Sequence, residues 1–245
     1  MDVRALSFTD KIVAVNEDVN GKDLADIPEL DVNIEGSIMV YGSYTLALIA
    51  SKKNWTPGAF VNDNFTHDAV AEGGGKSVML NGDAVVCRLD EIENALNGRE
   101  NVFLRPFEDT KSFSGMVQGH GDALWWAQQA INANGPVLNS STKIVVASTR
   151  SILAEYRLFV VDGNVVTSSL YKLGERVLSD KYTPENVLCF ARGCIERWVP
   201  DRAFVLDIAE TPDGLCIIEV NNINSSGVYA AELSRLIQAL DGMQF

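Results

Sequence analysis

Three oxygen-bearing side chains in the last fifth of the chain, Asp207, Glu219 and Asn221, have the types and spacing of a cation site. They lie in two short apolar runs separated by Pro-Asp-Gly at 212–214, a sequence typical of a three-residue hairpin loop. Counting back from that loop along both strands places Asp207 directly opposite Glu219. Asn221 shares their face because side chains alternate along a strand. The sequence therefore predicts a hairpin with two carboxylates and an amide on one face.

Two carboxylates opposed across a hairpin have Cβ atoms roughly 5 Å apart, and they repel each other unless positive charge lies between them. A few hard oxygen ligands together with an amide carbonyl suit magnesium, whose other ligands are waters and nucleotide phosphates. An exposed acidic strand face is the alternative interpretation. The opposite face of the hairpin is predicted to be core, formed by Phe204, Leu206, Ile208, Cys216, Ile218 and Val220.

A second candidate cluster follows the predicted strand 102–107. That strand carries Arg105, and the polar loop after it contains Lys111, two serines and Gly115. Arginine offers a rigid fork to phosphate oxygens and lysine a point charge, while small residues let backbone amides approach an anion. These properties are those of a phosphate-binding loop. Taken alone, the same residues favour the alternative, a surface loop with two solvated cations.

The third cluster is Glu155 and Arg157, which share one face of a predicted strand whose other face is apolar. An arginine in the middle of a strand is unusual unless it pairs with an acid or with a ligand anion. Both alternatives stay open: a pair with Glu155 or a neighbouring acid, or contact with a bound anion.

The hydrophobic pattern predicts an α+β body that is preceded by a small α/β unit. Asp162 and Gly163, between β-branched runs, are a strong hairpin signal. The predicted strands are 37–41, 78–88, 102–107, 143–148, 154–161 and 164–171, followed by the hairpin at 204–221. The predicted helices are 44–53, 90–97, 122–133, 185–198 and 230–240.

Composition limits the classes of function. The 245 residues, 47% of them hydrophobic, are enough for one large core or two smaller ones. The net charge of −13 argues against general affinity for nucleic acid or anionic membranes. Four cysteines without paired spacing and only two histidines argue against zinc and against Cys-His catalysis. The first residues lack a signal-peptide pattern and no apolar run approaches a membrane span, so we expect a cytoplasmic protein.

One glycine-rich motif imitates a phosphate-binding P-loop. Gly73-Gly-Gly-Lys-Ser77 lacks the glycine that the P-loop pattern requires five residues before Gly75, where Val70 stands. The residues after the motif have the pattern of strands and not of a helix. We therefore expect an ordinary mobile loop.

Taken together, the three clusters resemble the motifs of ATP-grasp enzymes, and more narrowly of the divergent clade named for two arginines and one lysine. That clade includes a eukaryotic translation-initiation assembly factor and many bacterial and phage proteins. The resemblance spans 37–231 and includes the segments 41–43, 80–83 and 224–229. It implies an ATP-grasp fold, in which two α+β subdomains clasp ATP after a small Rossmann-like unit. We expect that unit at 1–88 and the ATP-grasp domain at 89–245, divided into 89–142 and 143–245.

The resemblance also implies roles for individual residues. Arg105 takes the place of the usual strand lysine and contacts phosphates, Lys111 lies in the flexible phosphate loop, and Arg157 reaches the phosphates or an acyl phosphate. These three form the expected catalytic set. The expected nucleotide-binding residues are Arg105, Lys111, Val146, Ser148, Glu155 and Arg157. The expected magnesium ligands are Asp207, Glu219 and Asn221.

The activity implied by the resemblance is ligation of a carboxylate to an amine or similar nucleophile. ATP and magnesium activate the carboxylate as an acyl phosphate, and the clade suggests a peptide or protein as acceptor. Two alternatives stay open. One is an ATP-binding assembly factor or chaperone with little or no turnover, and the other is a small-molecule kinase.

Overall fold

The computed structural model describes residues 38–62, 65–107 and 113–244. A short strand β1 (Ile38–Met39) leads into helix α1 (Tyr44–Lys52) and then strand β2 (Pro57–Gly58), which pairs with β1 in parallel. The hydroxyl of Ser43 caps α1 by accepting a hydrogen bond from the Leu46 amide. The predicted opening of strand, turn and helix is therefore confirmed within the described residues.

A four-stranded antiparallel sheet follows. Its strands, in the spatial order β3-β6-β4-β5, are β3 (Val85–Arg88), β4 (Asn101–Pro106), β5 (Met116–Gly119) and β6 (Lys143–Ser148). Helices α2 (His67–Val70), α3 (Ile92–Leu96) and α4 (His120–Ala133) belong to this part of the chain. Helices α3 and α4 pack on the sheet through a core that includes Leu89, Leu96, Leu104, Ala127 and Ile144.

The second large sheet has five antiparallel strands in the order β11-β10-β7-β8-β9. They are β7 (Ala154–Val161), β8 (Asn164–Leu173), β9 (Arg176–Asp180), β10 (Ala203–Thr211) and β11 (Gly214–Asn222). Helix α5 (Glu185–Arg197) covers one face through the core that contains Leu158 and Phe204, and helix α6 (Leu233–Asp241) covers part of the other face at Phe159 and Val205. The part of that second face that α6 leaves uncovered is called the charged face below. It carries Glu155, Arg157, Lys172, Asp207 and Glu219.

The α+β class predicted from the sequence is confirmed. Strands 143–148 and 154–161 coincide with β6 and β7, and both central residues of the Asp162-Gly163 turn have positive φ, +45° and +74°, as a type I′ turn requires. Strands β2, β5 and β9 and helix α2 were not predicted. The domain boundaries at 88 and 142 remain predictions.

The glycine-rich segment is not a loop. After α2 the chain continues as a π-helical turn over Ala71–Gly75 and a 3₁₀ turn over Lys76–Val78, and only Val85–Arg88 of the predicted strand 78–88 is a strand. A Cβ atom placed on Gly73 would come within 2.4 Å of the Trp198 indole. The missing side chain thus lets the helical turn lie directly on Trp198, which packs against the core that contains Leu158 and Phe204. Packing against an aromatic ring, not phosphate binding, accounts for this glycine.

Within the described ranges, none of the helices combines the length and the apolar character needed to cross a membrane.

We predict opposite effects for two glycine substitutions in helical segments. Gly73→Ala forces the turn away from Trp198 and is expected to destabilise the protein by roughly 1–3 kcal/mol, as overpacking does. Gly193→Ala, in the exposed middle of α5 with no atom within 4 Å of the new Cβ, is expected to stabilise it by about 0.5–1 kcal/mol. Urea unfolding followed by tryptophan fluorescence measures both. Equal stability of the two variants would contradict the packing role of Gly73.

Candidate functional site

Asp207 lies directly opposite Glu219 across the β10–β11 hairpin, as predicted. The predicted route to that register was wrong in two places. The loop has two residues, because Thr211 pairs with Gly214, and a β-bulge opposite the Asp207–Ile208 step contains Ile218 as an extra residue. One residue fewer in the loop and one more in the strand leave the carboxylates opposed.

The bulge changes the core face near the turn. Ile217 is 2% exposed and belongs to the core with Val220, whereas Cys216 and Ile218 are only half-buried. The prediction that Cys216 and Ile218 are core residues was therefore wrong. Phe204, Leu206 and Ile208 on the partner strand lie in the core as predicted.

The centre of the charged face is an ion pair between Arg157 and Asp207, which are directly opposite each other on β7 and β10. The Arg157 Nε donates to Oδ1 of Asp207 at 2.9 Å and Nη2 donates to Oδ2 at 2.6 Å. Asp207 is completely buried. Burial raises the pKa of Asp207 to about 6, although the hydrogen bonds from Arg157 act in the opposite direction. At neutral pH the carboxylate is still ionised, so the pair is a buried salt bridge.

Asn221 and Glu219 extend this pair toward the other large sheet. The Asn221 amide donates to Asp207 at 3.3 Å and to Glu219 at 3.0 Å. Glu219 also forms an ion pair with Arg105 at 3.5 Å. Because Arg105 lies on β4 of the four-stranded sheet and Glu219 on β11 of the five-stranded sheet, this ion pair joins the two sheets at the site.

Glu155 has partners of its own and does not pair with Arg157. Its two carboxylate oxygens accept from the Lys172 ammonium at 2.8 Å and from the Tyr171 hydroxyl at 2.7 Å. Glu155 is 9% exposed, so both contacts are largely shielded from water. Of the alternatives for Arg157, the structure shows a pair with a neighbouring acid, and that acid is Asp207.

Two tyrosines contact the Arg157 guanidinium. The ring centroids of Tyr171 and Tyr229 lie 5.5 and 5.2 Å from its Cζ atom, and the two rings stack on each other at 5.0 Å. The Arg157 Nη1 also donates to the Gly227 carbonyl at 3.4 Å. The guanidinium is thus fixed by a carboxylate, a backbone carbonyl and two aromatic rings.

The segment 224–229 after β11 is tied to the β1–α1 connection. The Ser225 amide donates to the Gly42 carbonyl at 2.6 Å, and the Asn224 side chain donates to the Val40 carbonyl at 3.3 Å. The Tyr41 hydroxyl donates to the Ser226 carbonyl at 3.4 Å, and burial raises the pKa of Tyr41 to about 12. The small amino-terminal unit therefore forms one wall beside the charged face.

Val146 and Ser148, predicted to bind the nucleotide, are both on β6. The Val146 carbonyl accepts from Arg99 at 3.3 Å, and the Ser148 amide donates to the Asp83 carboxylate at 3.3 Å. Asp83 also pairs with Arg150 at 3.2 Å. These contacts hold the end of β6 and the connection to β7, and the nucleotide-binding role of the two residues stays a prediction.

Lys172, Tyr171 and Tyr229 were not predicted to belong to the site. Tyr171 and Lys172 lie at and beyond the predicted end of strand 164–171, and they reach Glu155 because bulges shift the register of β7 and β8. Tyr229 lies in the segment 224–229, for which no individual site residue was predicted. Predicted site residue Lys111 lies outside the described residues.

The predicted magnesium ligands can be tested against the chemistry of the donors present. The described part of the chain contains no group of three or more His, Cys, Asp or Glu side chains that could hold a metal ion. Asp207, Glu219 and Asn221 nevertheless share one hydrogen-bond network, and the Glu219 side chain is 38% exposed. Two carboxylates and an amide oxygen fit magnesium that takes its remaining ligands from water and phosphate.

We predict that the burial of the Arg157–Asp207 pair makes it important for stability. Asp207→Asn leaves a buried guanidinium without its counter-charge, and it is expected to cost roughly 3–5 kcal/mol of unfolding free energy. Arg202 and Asp162 provide a matched control, because they form the same two-bond geometry at 2.7 and 2.8 Å with both side chains more than 40% exposed. Asp162→Asn is expected to cost at most about 1 kcal/mol. Chemical denaturation compares the two, and similar losses would contradict the role of burial.

Comparisons with known proteins agree with this architecture. The model of an ATP-grasp domain family, the third family of the clade named for two arginines and one lysine, matches residues 16–240. No curated protein matches the sequence significantly.

Three solved structures share the fold. A D-cycloserine synthetase is 13% identical with a TM-score of 0.52, and the match covers 72% of this chain and 69% of that chain. The ATP-grasp RimK domain protein of Sphaerobacter thermophilus DSM 20745 is 17% identical with a TM-score of 0.54, over 73% of this chain and 64% of that chain. The D-alanine–D-alanine ligase of Bacillus anthracis complexed with ATP is 10% identical with a TM-score of 0.51, over 80% of this chain and 68% of that chain. At these identities the likeness establishes the fold alone. The predicted ATP-grasp fold is confirmed, and the chain belongs to the ATP-grasp family, in the clade named for two arginines and one lysine.

Proposed function

We propose that this protein is an ATP- and magnesium-dependent ligase, which joins a carboxylate to an amine or a similar nucleophile through an acyl phosphate. We further propose a peptide or protein as the acceptor. The family supports ATP as the nucleotide. The reaction and the acceptor class are inferred from the resemblance to the clade, and the charged residues at the site support the reaction.

The observation that carries the proposal is the meeting of charges from both large sheets. Arg105 arrives from the four-stranded sheet and lies 3.5 Å from Glu219 on the five-stranded sheet, beside the Arg157–Asp207 pair and Asn221. Guanidinium groups stabilise the charge that develops on a transferred phosphoryl group, and carboxylates hold the metal that accompanies it. Cations and metal donors therefore meet where two sheets can close on a nucleotide.

The proposed chemistry has two steps. A carboxylate oxygen of the substrate attacks the γ-phosphorus, and the bond to the β,γ-bridging oxygen breaks with release of ADP. The amine nitrogen then attacks the acyl carbon, inorganic phosphate leaves, and a proton is lost from nitrogen. Arg105, Arg157 and Lys111 bind and orient the phosphoryl oxygens. The protein supplies no nucleophile of its own in either step.

Magnesium, held by Asp207, Glu219 and Asn221, would neutralise phosphate charge in this site. The present partners of these donors are protein groups: Arg157 for Asp207 and Arg105 for Glu219. Glu219 has the more exposed side chain of the two acids, 38% against 1%. We therefore infer that Glu219 is the more accessible metal ligand, and that Asp207 contributes mainly through its pair with Arg157.

We predict that ATP stabilises the protein only with magnesium and only when Glu219 is intact. A ligand stabilises the state to which it binds, so ATP with magnesium is expected to raise the melting temperature of the wild type by several degrees. Glu219→Gln is expected to lose that rise. Glu185→Gln, which removes an exposed acid on α5, serves as the control and keeps it. A full rise in Glu219→Gln would contradict the metal assignment.

We also predict that the protein forms a trappable acyl phosphate. Hydroxylamine replaces the unknown amine, and a panel of amino acids, dicarboxylates and short peptides supplies the carboxylate. ADP and a hydroxamate should accumulate together only when ATP, magnesium and a suitable carboxylate are present. With an ¹⁸O-labelled carboxylate, label should reach inorganic phosphate. A stable phosphorylated product without hydroxamate would instead indicate a kinase.

One observation favours the assembly-factor alternative. Each acid of the expected metal site is paired with an arginine, and the Arg105–Glu219 pair joins the two large sheets. A protein that only binds a nucleotide between the two sheets needs no residues beyond these to position a second substrate. Stabilisation by ATP with magnesium, together with no ADP formation across the whole carboxylate panel, would support this alternative over ligation.

A further inference from the structure

We propose that Tyr171 and Tyr229 are positioning residues, which hold the Arg157 guanidinium ready for a phosphate or acyl phosphate oxygen. This inference rests on the proposed nucleotide site and adds two residues to it. Neither ring belongs to the sets of residues predicted to bind ATP or magnesium.

The Arg157 Cζ atom and the two ring centroids form a nearly equilateral triangle with sides of 5.5, 5.2 and 5.0 Å. The guanidinium therefore contacts both rings and not just one. Cation–π contacts strengthen when the cation is desolvated, and the Arg157 side chain is only 11% exposed. Removing either ring leaves the plane of the guanidinium less constrained.

The Arg157 guanidinium has more hydrogen-bond donors than its protein partners use. A guanidinium has five N–H groups. Among the described residues, three of those on Arg157 have acceptors, with Nε and Nη2 donating to Asp207 and Nη1 donating to the Gly227 carbonyl. Within that part of the chain, one N–H group on each terminal nitrogen remains for a ligand. Arg157 can thus bind an anion while its pair with Asp207 stays intact, provided that its plane is held in place.

The position of Tyr171 is fixed by its contact with Glu155 on the neighbouring strand. Its hydroxyl donates to Glu155 at 2.7 Å, and Lys172 holds the other oxygen of the same carboxylate. Burial and the charge of Asp207 raise the pKa of Tyr171 above its ordinary value, so that the hydroxyl stays protonated and remains a donor. The ring therefore has a defined position against which Arg157 and Tyr229 can pack.

Tyr229 is held in a conformation that a bulky residue rarely adopts. Its φ is +52° and its residue exposure is 46%. Such strain persists only where the surrounding structure imposes it, and it is concentrated at functional sites. Here the neighbouring Ser225 amide is bound to the Gly42 carbonyl, and the Ala230 amide is bound to the Ser169 hydroxyl. An exposed tyrosine with this backbone contributes little packing, which makes a role in orienting Arg157 the better explanation.

The test separates phosphate binding from stability. Isothermal titration with AMP and with the non-hydrolysable analogue AMP-PNP, both with magnesium, gives a dissociation constant for each nucleotide. The ratio of the AMP constant to the AMP-PNP constant measures how much the additional phosphates contribute to affinity. Tyr229→Leu is expected to reduce that ratio about tenfold while affinity for AMP is kept. Tyr229→Phe retains the ring and should retain the ratio. Tyr182→Leu, at a tyrosine that is 70% exposed, is the control and should match the wild type.

A second variant distinguishes loss of the Tyr229 ring from destabilisation of the fold. Tyr229→Gly removes the ring and relieves the positive φ, so it should show the same reduced ratio with a melting temperature no lower than that of Tyr229→Leu. An unchanged ratio in Tyr229→Leu and Tyr229→Gly would overturn the positioning role while leaving the proposed function intact. Parallel loss of AMP affinity would also overturn it, because the ring would then bind the nucleoside. A wild type that binds neither nucleotide would overturn both proposals.

Discussion

The structure depends on a charge pair that has been removed from water. Arg157 and Asp207 face each other on neighbouring central strands, and Asp207 has no exposed surface. Desolvating two charges costs several kcal/mol per ion, which their mutual attraction offsets only when the geometry and the remaining hydrogen bonds are good. The Asn221 amide, the Gly227 carbonyl and the two tyrosine rings supply those further contacts. These contacts of the charged face thus offset the cost of desolvating the Arg157–Asp207 pair.

The sequence predicted the face of the hairpin better than its details. Asp207 and Glu219 are opposed as expected, but only because a shorter loop and the extra residue Ile218 compensate for each other. Alternation along a strand and turn chemistry are local properties, and they identified the acids that share a face. A bulge depends on the pairing of two strands in the folded sheet, so the burial of Cys216 and Ile218 was mispredicted.

The partners of the site residues were harder to predict, because they depend on which strands are neighbours. Arg157 meets Asp207 because β10 lies beside β7, although the two strands are far apart in the sequence. A two-residue turn at Asp162-Gly163 places Leu170 opposite Glu155, but two bulges shift the register until Lys172 takes that position. Strand β9 escaped prediction because all five of its residues are exposed, and such a strand lacks the buried alternation that marks a sheet face.

Charge balance explains why a metal belongs in the proposed reaction. The described residues of this face form three pairs, which are Lys172 with Glu155, Arg157 with Asp207, and Arg105 with Glu219. Three cations against three anions leave the face neutral in a chain whose net charge is −13. A neutral face offers little long-range attraction to a polyanion such as a nucleoside triphosphate. In the proposed reaction, the additional positive charge would come from magnesium bound to the phosphates and from Lys111, so we expect nucleotide affinity to depend on the divalent cation as well as on the arginines.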